Sequence, residues 1–109
     1  MQWSVLTSEE QLKTLLEQSH TKPQVIFKHS IRCSISSVVK TRLETGTAPP
    51  DIDFHYFDLI NYRPLSNKIA EDLKVHHESP QVLLIKNGEC IFDESHMAIR
   101  MMDIASEAI

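Results

Sequence analysis

Apolar residues follow two patterns along the chain: short continuous runs, and spacings of three or four residues. The runs predict buried strands and the spacings predict amphipathic helices. The predicted elements are strand 3–6, helix from Thr7 to about Ser19, strand 24–29, helix from Cys33 to about Thr45, strand 53–60, helix from Pro64, strands 82–85 and 89–93, and a last helix from Ser95. Strands that alternate with helices indicate right-handed parallel crossovers, and the final pair of strands adds an antiparallel edge.

Local signals predict how these elements begin, turn and end. Thr7 and Glu10 have the spacing of a capping box at the start of the first helix. Gly46 lies where a left-handed cap would end the second helix, and Asn87-Gly88 is a strong signal for a tight hairpin turn. The residues expected to face the core are Ile35, Val38, Val39 and Leu43 in the second helix, and Ala98, Met102, Ala105 and Ile109 in the last.

Length and composition restrict the kind of protein. A chain of 109 residues is expected to form one domain. Its formal net charge of -4 disfavours nucleic acid as a partner, because phosphate binding needs a basic surface. No apolar run approaches the roughly 20 residues that cross a bilayer, and the N-terminus shows no secretory signal. Two cysteines are too few for a disulfide scaffold. We therefore expect a cytoplasmic protein that binds neither membranes nor nucleic acid.

Six histidines raise the question of a metal site. His76 and His77 are adjacent, so in an extended chain they point to opposite faces. His29 and His55 lie on different predicted strands, and no pair of Cys or His residues has the spacing of a structural zinc site. We expect no bound metal.

Cys33 is the candidate for chemistry because it falls between a buried strand and a helix. The first amides of that helix have no intrahelical partner. Those amides, the positive end of the helix dipole and the adjacent Arg32 stabilise an anion such as a thiolate, the nucleophilic form of cysteine. The alternative is a small buried hydrophobic residue, the commonest role of a lone cysteine. That alternative is favoured for Cys90.

A second signal is Ser79-Pro80, just before the buried strand of the hairpin. Proline cannot donate a hydrogen bond within a sheet, so Pro80 belongs at the first position of that strand or before it. Taken alone it indicates a trans proline, because only about one X-Pro bond in twenty is cis.

Three stretches resemble the YtxJ-like proteins of the bacillithiol system, the monothiol bacilliredoxins. They are Phe27-Lys28-His29-Ser30 with Cys33-x-Ile35-Ser36, then Arg63 to Glu71, then Val75 to Gln81 followed by Asn87-Gly88 and Ser95-His96. The resemblance implies a thioredoxin-like α/β fold: a central mixed sheet of four or five strands flanked by helices, with a C-terminal β-hairpin plus helix. It also implies a cis Pro80 facing Cys33, and a Ser79 backbone that pairs with an extended thiol substrate. The family usually has proline where this chain has Ser34, at a position that tunes the reactivity of the thiol.

The function implied by the resemblance is a thiol-disulfide oxidoreductase that removes low-molecular-weight thiols, such as bacillithiol, from protein mixed disulfides. Cys33 is the predicted nucleophile. Ser36 replaces the resolving cysteine of dithiol enzymes, and it either hydrogen-bonds the Cys33 sulfur or is an ordinary helix serine. The predicted partners are S-thiolated proteins and a small thiol as co-substrate, with no other cofactor. The predicted substrate-binding residues are Arg32, Ser34, His77, Glu78, Ser79 and Pro80. The candidates for holding the carboxylates of bacillithiol are Lys28, Arg32 and Arg63, and the alternative, favoured for any one of these three, is an ordinary solvated surface charge.

Two other functions remain open. One is a monothiol glutaredoxin that holds an iron–sulfur cluster with Cys33 and glutathione. The glycine pair which those proteins use for glutathione is missing, because Gly46 and Gly88 are the only glycines. The other is a non-catalytic thioredoxin-fold adaptor acting in a stress response. Faster alkylation of Cys33 than of Cys90 would separate the enzymes from the adaptor.

Overall fold

Five strands and four helices follow one another in the computed structural model, which describes residues 1–109, in the order that the sequence pattern predicts. The strands are β1 (Trp3–Val5), β2 (Gln24–His29), β3 (Asp53–Asp58), β4 (Gln81–Lys86) and β5 (Glu89–Ser95). The helices are α1 (Glu9–Gln18), α2 (Ser34–Thr45), α3 (Arg63–Leu73) and α4 (Met101–Glu107), with a short 3₁₀ turn at His96–Ala98. None of the helices has the length and apolar character needed to cross a membrane.

The strands form one mixed sheet in the order β1-β3-β2-β4-β5. β1, β3 and β2 are parallel, whereas β4 is antiparallel to β2 and β5 is antiparallel to β4. These directions bring the C-terminal ends of β2 and β3 to the same edge of the sheet as the N-terminal end of β4. We call this edge the active edge. It carries the turn after His29 and the loop before Gln81.

The central strand β2 divides the hydrophobic core into two parts, and all six of its residues are buried. Successive side chains of a strand point to opposite faces. Phe27 packs into the core formed with α2 and α4, whereas Ile26 packs into the core formed with α1 and α3. Burial of each such side chain contributes about 1.5–3 kcal/mol. Lys28 and His29 continue the alternation, so that one polar residue enters each face next to the active edge.

The hairpin turn between β4 and β5 has the conformation that its sequence predicts. Asn87 and Gly88 both have positive φ angles, 55° and 78°, as a type I′ turn requires. The turn is also anchored from outside the hairpin. The Asn87 amide donates to the Ser19 carbonyl at 2.9 Å, and the Gly88 amide donates to the Ser19 hydroxyl at 2.8 Å.

Both predicted helix caps are wrong. The capping box at α1 is formed by Ser8 and Gln11, one residue later than predicted, because the helix begins at Glu9. The Gln11 side-chain oxygen accepts from the amides of both Thr7 and Ser8, at 2.7 and 3.2 Å, which satisfies two donors with one group. Gly46 is extended (φ −76°, ψ 167°) and not left-handed. A Cβ at Gly46 would lie 3.3 Å from the Met101 Cβ, so the close approach of α4 explains the small residue.

The predicted core faces of two helices are also partly wrong. In α2, Ile35 and Val38 are 41% and 50% exposed, and the buried stripe consists of Ser36, Val39 and Leu43. The last helix begins at Met101 and not at Ser95, because the 3₁₀ turn and an extended Arg100 come first. This later start changes which residues face the sheet. Met101 and Ile104 are buried, whereas Met102 and Ile109 are 79% and 99% exposed.

Candidate active site

Cys33 lies in the turn between β2 and α2 and is the N-cap residue of α2. Its amide donates to the Ser30 carbonyl at 3.1 Å, and its carbonyl accepts from the Ser37 amide at 3.3 Å, so the backbone is held on both sides. The side chain is half-exposed, makes no capping hydrogen bond and is not part of a disulfide. The thiol is thus free of side-chain and disulfide partners at a helix N-terminus, which attracts anions.

The residues on either side of Cys33 are exposed. Arg32 and Ser34, both predicted from the sequence, lie in the same turn and face solvent. Ile31 and Ile35 are 64% and 41% exposed, so each side of Cys33 in the sequence carries an exposed apolar side chain. These two isoleucines were not predicted as site residues. The feature that marks them as site residues is their exposed apolar surface, which is known only once α2 is oriented on the sheet.

Ser36 does not bond the Cys33 sulfur, contrary to the prediction. It is fully buried, and its hydroxyl lies 2.6 Å from Nδ1 of His29 and accepts from the Ser30 amide at 3.1 Å. Ser30 and His29 belong to the end of β2 and its turn, whereas Ser36 belongs to α2. The Ser36 hydroxyl therefore ties the two ends of the Cys33 turn together.

His29 is a site residue that sequence reasoning considered only as a metal ligand. Only 4% of it is exposed, and its ring packs against the rings of Phe27 and Tyr56 at centroid distances of 5.7 and 5.4 Å. Burial lowers the pKa of His29, and the charge of Lys40 lowers it further. The ring beneath the Cys33 turn is therefore neutral at physiological pH.

Lys28 and His77 form the corresponding polar pair on the other face of β2. Lys28 is fully buried, so it is not the surface ligand for carboxylates that the sequence suggested. Its Nζ lies 3.3 Å from Nδ1 of His77, and the Ser66 hydroxyl is 3.5 Å from the same nitrogen. Burial lowers the pKa of Lys28 to about 8. Burial also lowers the pKa of His77, and the charges of Lys28 and Arg63 add to this effect.

The loop that precedes β4 brings the other predicted residues to the active edge. The Ser79-Pro80 peptide bond is cis. The Pro80 carbonyl accepts from the His96 amide at 2.9 Å, and the Glu78 carboxylate lies 3.6 Å from the His96 ring. The topology thus places Cys33, at the end of β2, on the same edge as the loop of His77, Glu78, Ser79 and Pro80. Arg63, the first residue of α3, is exposed after the neighbouring strand β3.

Cys90 occupies a different environment at the hairpin. It lies on β5 opposite Ile85, packs against the core formed with α1 and α3, and donates from its sulfur to the Phe92 carbonyl at 3.3 Å. Burial raises the pKa of Cys90 to about 11. Its thiol is therefore protonated at physiological pH.

Metal-binding side chains are not clustered in this structure. No group of three or more His, Cys, Asp or Glu side chains is arranged to hold a metal ion. His29 and His77, which are near the active edge, are each committed to a hydrogen bond through Nδ1.

Comparison with solved structures identifies the class of protein. Thioredoxins from Malassezia sympodialis and Schistosoma mansoni match with TM-scores of 0.76 and 0.72 at 17% and 19% identity. The matches cover 97% and 98% of this chain and 88% and 93% of theirs, and they show the fold alone. A solved protein provisionally described as an oxidoreductase with a thioredoxin fold matches with a TM-score of 0.83 at 30% identity, covering 94% of this chain and 90% of that one. The fold and the accessible Cys33 together define a thioredoxin-fold thiol redox protein.

The family follows from the sequence match. Residues 4–104 match the family of the monothiol bacilliredoxin BrxC, and the chain belongs to this family. The resemblance inferred from the motifs around Cys33 and Ser79-Pro80 is thereby confirmed, as is the thioredoxin-like fold that it implied. Membership also implies thiol redox partners for this protein.

Proposed function

We propose that this protein removes bacillithiol, or a similar low-molecular-weight thiol, from protein mixed disulfides through Cys33. The proposal is carried by the half-exposed Cys33 at the N-terminus of α2, with Ser36 where a dithiol enzyme has its second cysteine. Membership of the monothiol bacilliredoxin family supports it.

The chemistry takes two exchanges. The Cys33 thiolate attacks the small-thiol sulfur of the mixed disulfide, a new disulfide forms between them, and the protein thiol leaves as a thiolate that takes a proton from water. A second small thiol then attacks the adduct as a thiolate. It regenerates Cys33 and leaves as a disulfide of two small thiols. The two electrons that reduce the protein thiol thus come from the small-thiol pool, and no resolving cysteine is needed.

The surroundings of Cys33 suit the two halves of such a substrate. Ile31 and Ile35 offer exposed apolar contact to the protein half. We assign the small thiol to the opposite side of Cys33, where Arg32, Ser34 and the loop of His77, Glu78, Ser79 and Pro80 supply charged and polar groups.

The location of the protein is part of the same proposal. Regeneration of Cys33 needs a pool of reduced small thiol, which the cytoplasm maintains. We therefore place the activity in the cytoplasm, with S-thiolated proteins as substrates.

The test is removal of bacillithiol from a purified protein that carries it as a mixed disulfide. We expect Cys33→Ser to abolish release, whereas Cys90→Ser retains most of it, because the Cys90 thiol is protonated and partly buried. Without added thiol, mass spectrometry should show one bacillithiol per chain, on Cys33. Equal loss of activity in both variants, or a Cys33–Cys90 disulfide as the main product, would contradict the monothiol scheme.

A further inference from the structure

Lys28 is buried at the active edge without an acidic partner. No part of it is exposed, and it takes part in none of the salt bridges of the structure. Its only hydrogen-bond partner is Nδ1 of His77, at 3.3 Å. A buried ammonium is costly unless its donors are used. The contact with His77 is therefore the one interaction that offsets the burial of this charge.

The contact determines which nitrogen of His77 carries the proton. An ammonium group has donors only, so Nδ1 must accept with its lone pair. The Ser66 hydroxyl, 3.5 Å away, competes as a donor for the same lone pair. A neutral imidazole that accepts at Nδ1 carries its hydrogen on Nε2. Lys28 thus selects one of the two tautomers of His77.

The position of His77 leaves the Nε2–H group of this tautomer available to a ligand. Lys28 lies opposite Gln81 in the β2–β4 ladder, directly under the loop that leads to Pro80. The Gln81 side chain donates to the His76 carbonyl at 3.0 Å, which fixes the backbone of the same loop. His77 is half-exposed while its Nδ1 edge meets a fully buried group, so the opposite edge with Nε2 is the one available to a ligand.

We propose that Lys28 is a positioning residue: its ammonium holds His77 as the Nε2–H tautomer, and His77 donates that hydrogen to a carboxylate of an acidic small thiol next to Ser79-Pro80. The identity of the ligand rests on the proposed function, whereas the tautomer of His77 does not depend on it. The other titratable groups around this pair are Arg63, Glu78, His76 and Cys90, whose thiol is protonated at neutral pH. Of these, Arg63 would reinforce the attraction for a carboxylate.

Imidazole ¹⁵N NMR at neutral pH tests the first half without any assay of activity. We expect Nε2 of His77 to be protonated and Nδ1 to be unprotonated in the wild-type protein, and this preference to disappear in Lys28→Met. Methionine suits the buried site, since replacing a buried charge by an apolar group of similar size is often tolerated. Lys13→Met, at an exposed position on α1, is the control and should leave the His77 spectrum unchanged. A wild-type His77 protonated on Nδ1 would overturn the proposal.

Kinetics with two mixed disulfides test the second half. Loss of a hydrogen bond to a carboxylate should raise KM for a bacillithiol mixed disulfide by about tenfold in Lys28→Met, with little change in kcat. KM for the mixed disulfide of 2-mercaptoethanol, which has no carboxylate, should stay the same. An equal rise with both disulfides would indicate a general structural role and overturn the proposal. No turnover of either disulfide by the wild-type protein would instead refute the proposed function and leave the NMR result standing.

Substitution of His77 provides an independent check. The side-chain amide of Gln lies near the place of Nε2 and that of Asn near the place of Nδ1, so His77→Asn should raise KM more than His77→Gln. In the His77→Gln background, Lys28→Met should have no further effect on KM, because Lys28 acts only through the imidazole. Additive effects of the two substitutions would show that Lys28 acts by another route.

Discussion

The two cysteines of this chain allow a direct comparison of the environments that one fold gives to a thiol. Cys33 lies at a helix N-terminus, with free backbone amides on one side and solvent on the other. Cys90 lies in an edge strand, packs against the core and bonds a backbone carbonyl, and burial raises its pKa to about 11. Neither position contains a neighbouring cysteine. We therefore expect the two thiols to differ in reactivity because of the backbone and of burial, without a second sulfur.

The comparison extends to the polar pairs beneath the active edge. His29 and Ser36 lie on the face of β2 that α2 covers, and they hold the Cys33 turn. Lys28 and His77 lie on the other face, and they hold the loop that carries Ser79-Pro80. Adjacent residues of one strand thus support the two halves of the site, because successive side chains point to opposite faces.

The largest expected contrast is the rate of alkylation of the two thiols. A pKa of about 11 instead of 9.0 reduces the thiolate fraction of Cys90 about a hundredfold. A more basic thiolate is also more nucleophilic, so each Cys90 thiolate reacts up to about tenfold faster, which offsets part of this loss. We expect iodoacetamide to modify Cys90 at least about tenfold more slowly than Cys33 near neutral pH, measured by peptide mass spectrometry. In denaturant the two rates should converge, and similar rates in the native protein would refute the comparison.

A second expected effect concerns the hydrogen bonds of the Ser36 hydroxyl, which tie the two ends of the Cys33 turn together. Ser36→Ala leaves the Ser30 amide and the buried His29 ring without their partner, which should lower the free energy of unfolding by about 1–3 kcal/mol. Ser37→Ala is the matched control, because Ser37 is the next residue of the same helix and is exposed. Urea unfolding of the three proteins gives the values. Equal stability of Ser36→Ala and the wild type would mean that the hydroxyl does not hold the turn.

The smallest expected effect is a dependence of stability on pH. Lys28 has a pKa of about 8 in the folded protein and an ordinary value of 10.5, so between these values the unfolded chain binds more protons. Stability therefore rises with pH in this interval. For Cys90 the order is reversed, and stability falls between pH 9.0 and about 11. Between pH 8 and pH 9 the gain from Lys28 exceeds the loss from Cys90, which begins as the pH approaches 9.0.

Urea unfolding at the two ends of that interval measures the effect. The free energy of unfolding should increase by about 0.6 kcal/mol between pH 8 and pH 9 in the wild-type protein, the gain from Lys28 less the smaller loss from Cys90. It should fall by about 0.3 kcal/mol in Lys28→Met, because the buried ammonium has been removed and only the Cys90 contribution remains. A decrease with pH in the wild type would show that the ammonium is better stabilised in the fold than its surroundings indicate.

Patterns in the sequence determined the order of the elements, their types and the place of Cys33. The strand that ends before Cys33, the spacing of apolar residues after it and Asn87-Gly88 are local signals, and each is confirmed. Local signals were weaker for helix ends. Ser8 and not Thr7 caps α1: the Ser8 hydroxyl accepts from the Gln11 amide, and the Gln11 side chain accepts from the Ser8 amide, a pairing that spacing alone does not distinguish from that of Thr7 with Glu10.

Only the tertiary structure decided which side chains meet. Periodicity assigned Ile35 and Val38 to the core, but the stripe of α2 that faces the sheet begins at Ser36, because its hydroxyl bonds His29 and the Ser30 amide. Lys28 looked like a surface charge from the sequence, yet it is buried against His77, which is 49 positions away in the chain. Contacts between such distant residues depend on strand order and register, and a local pattern of apolar and polar residues carries no information about either.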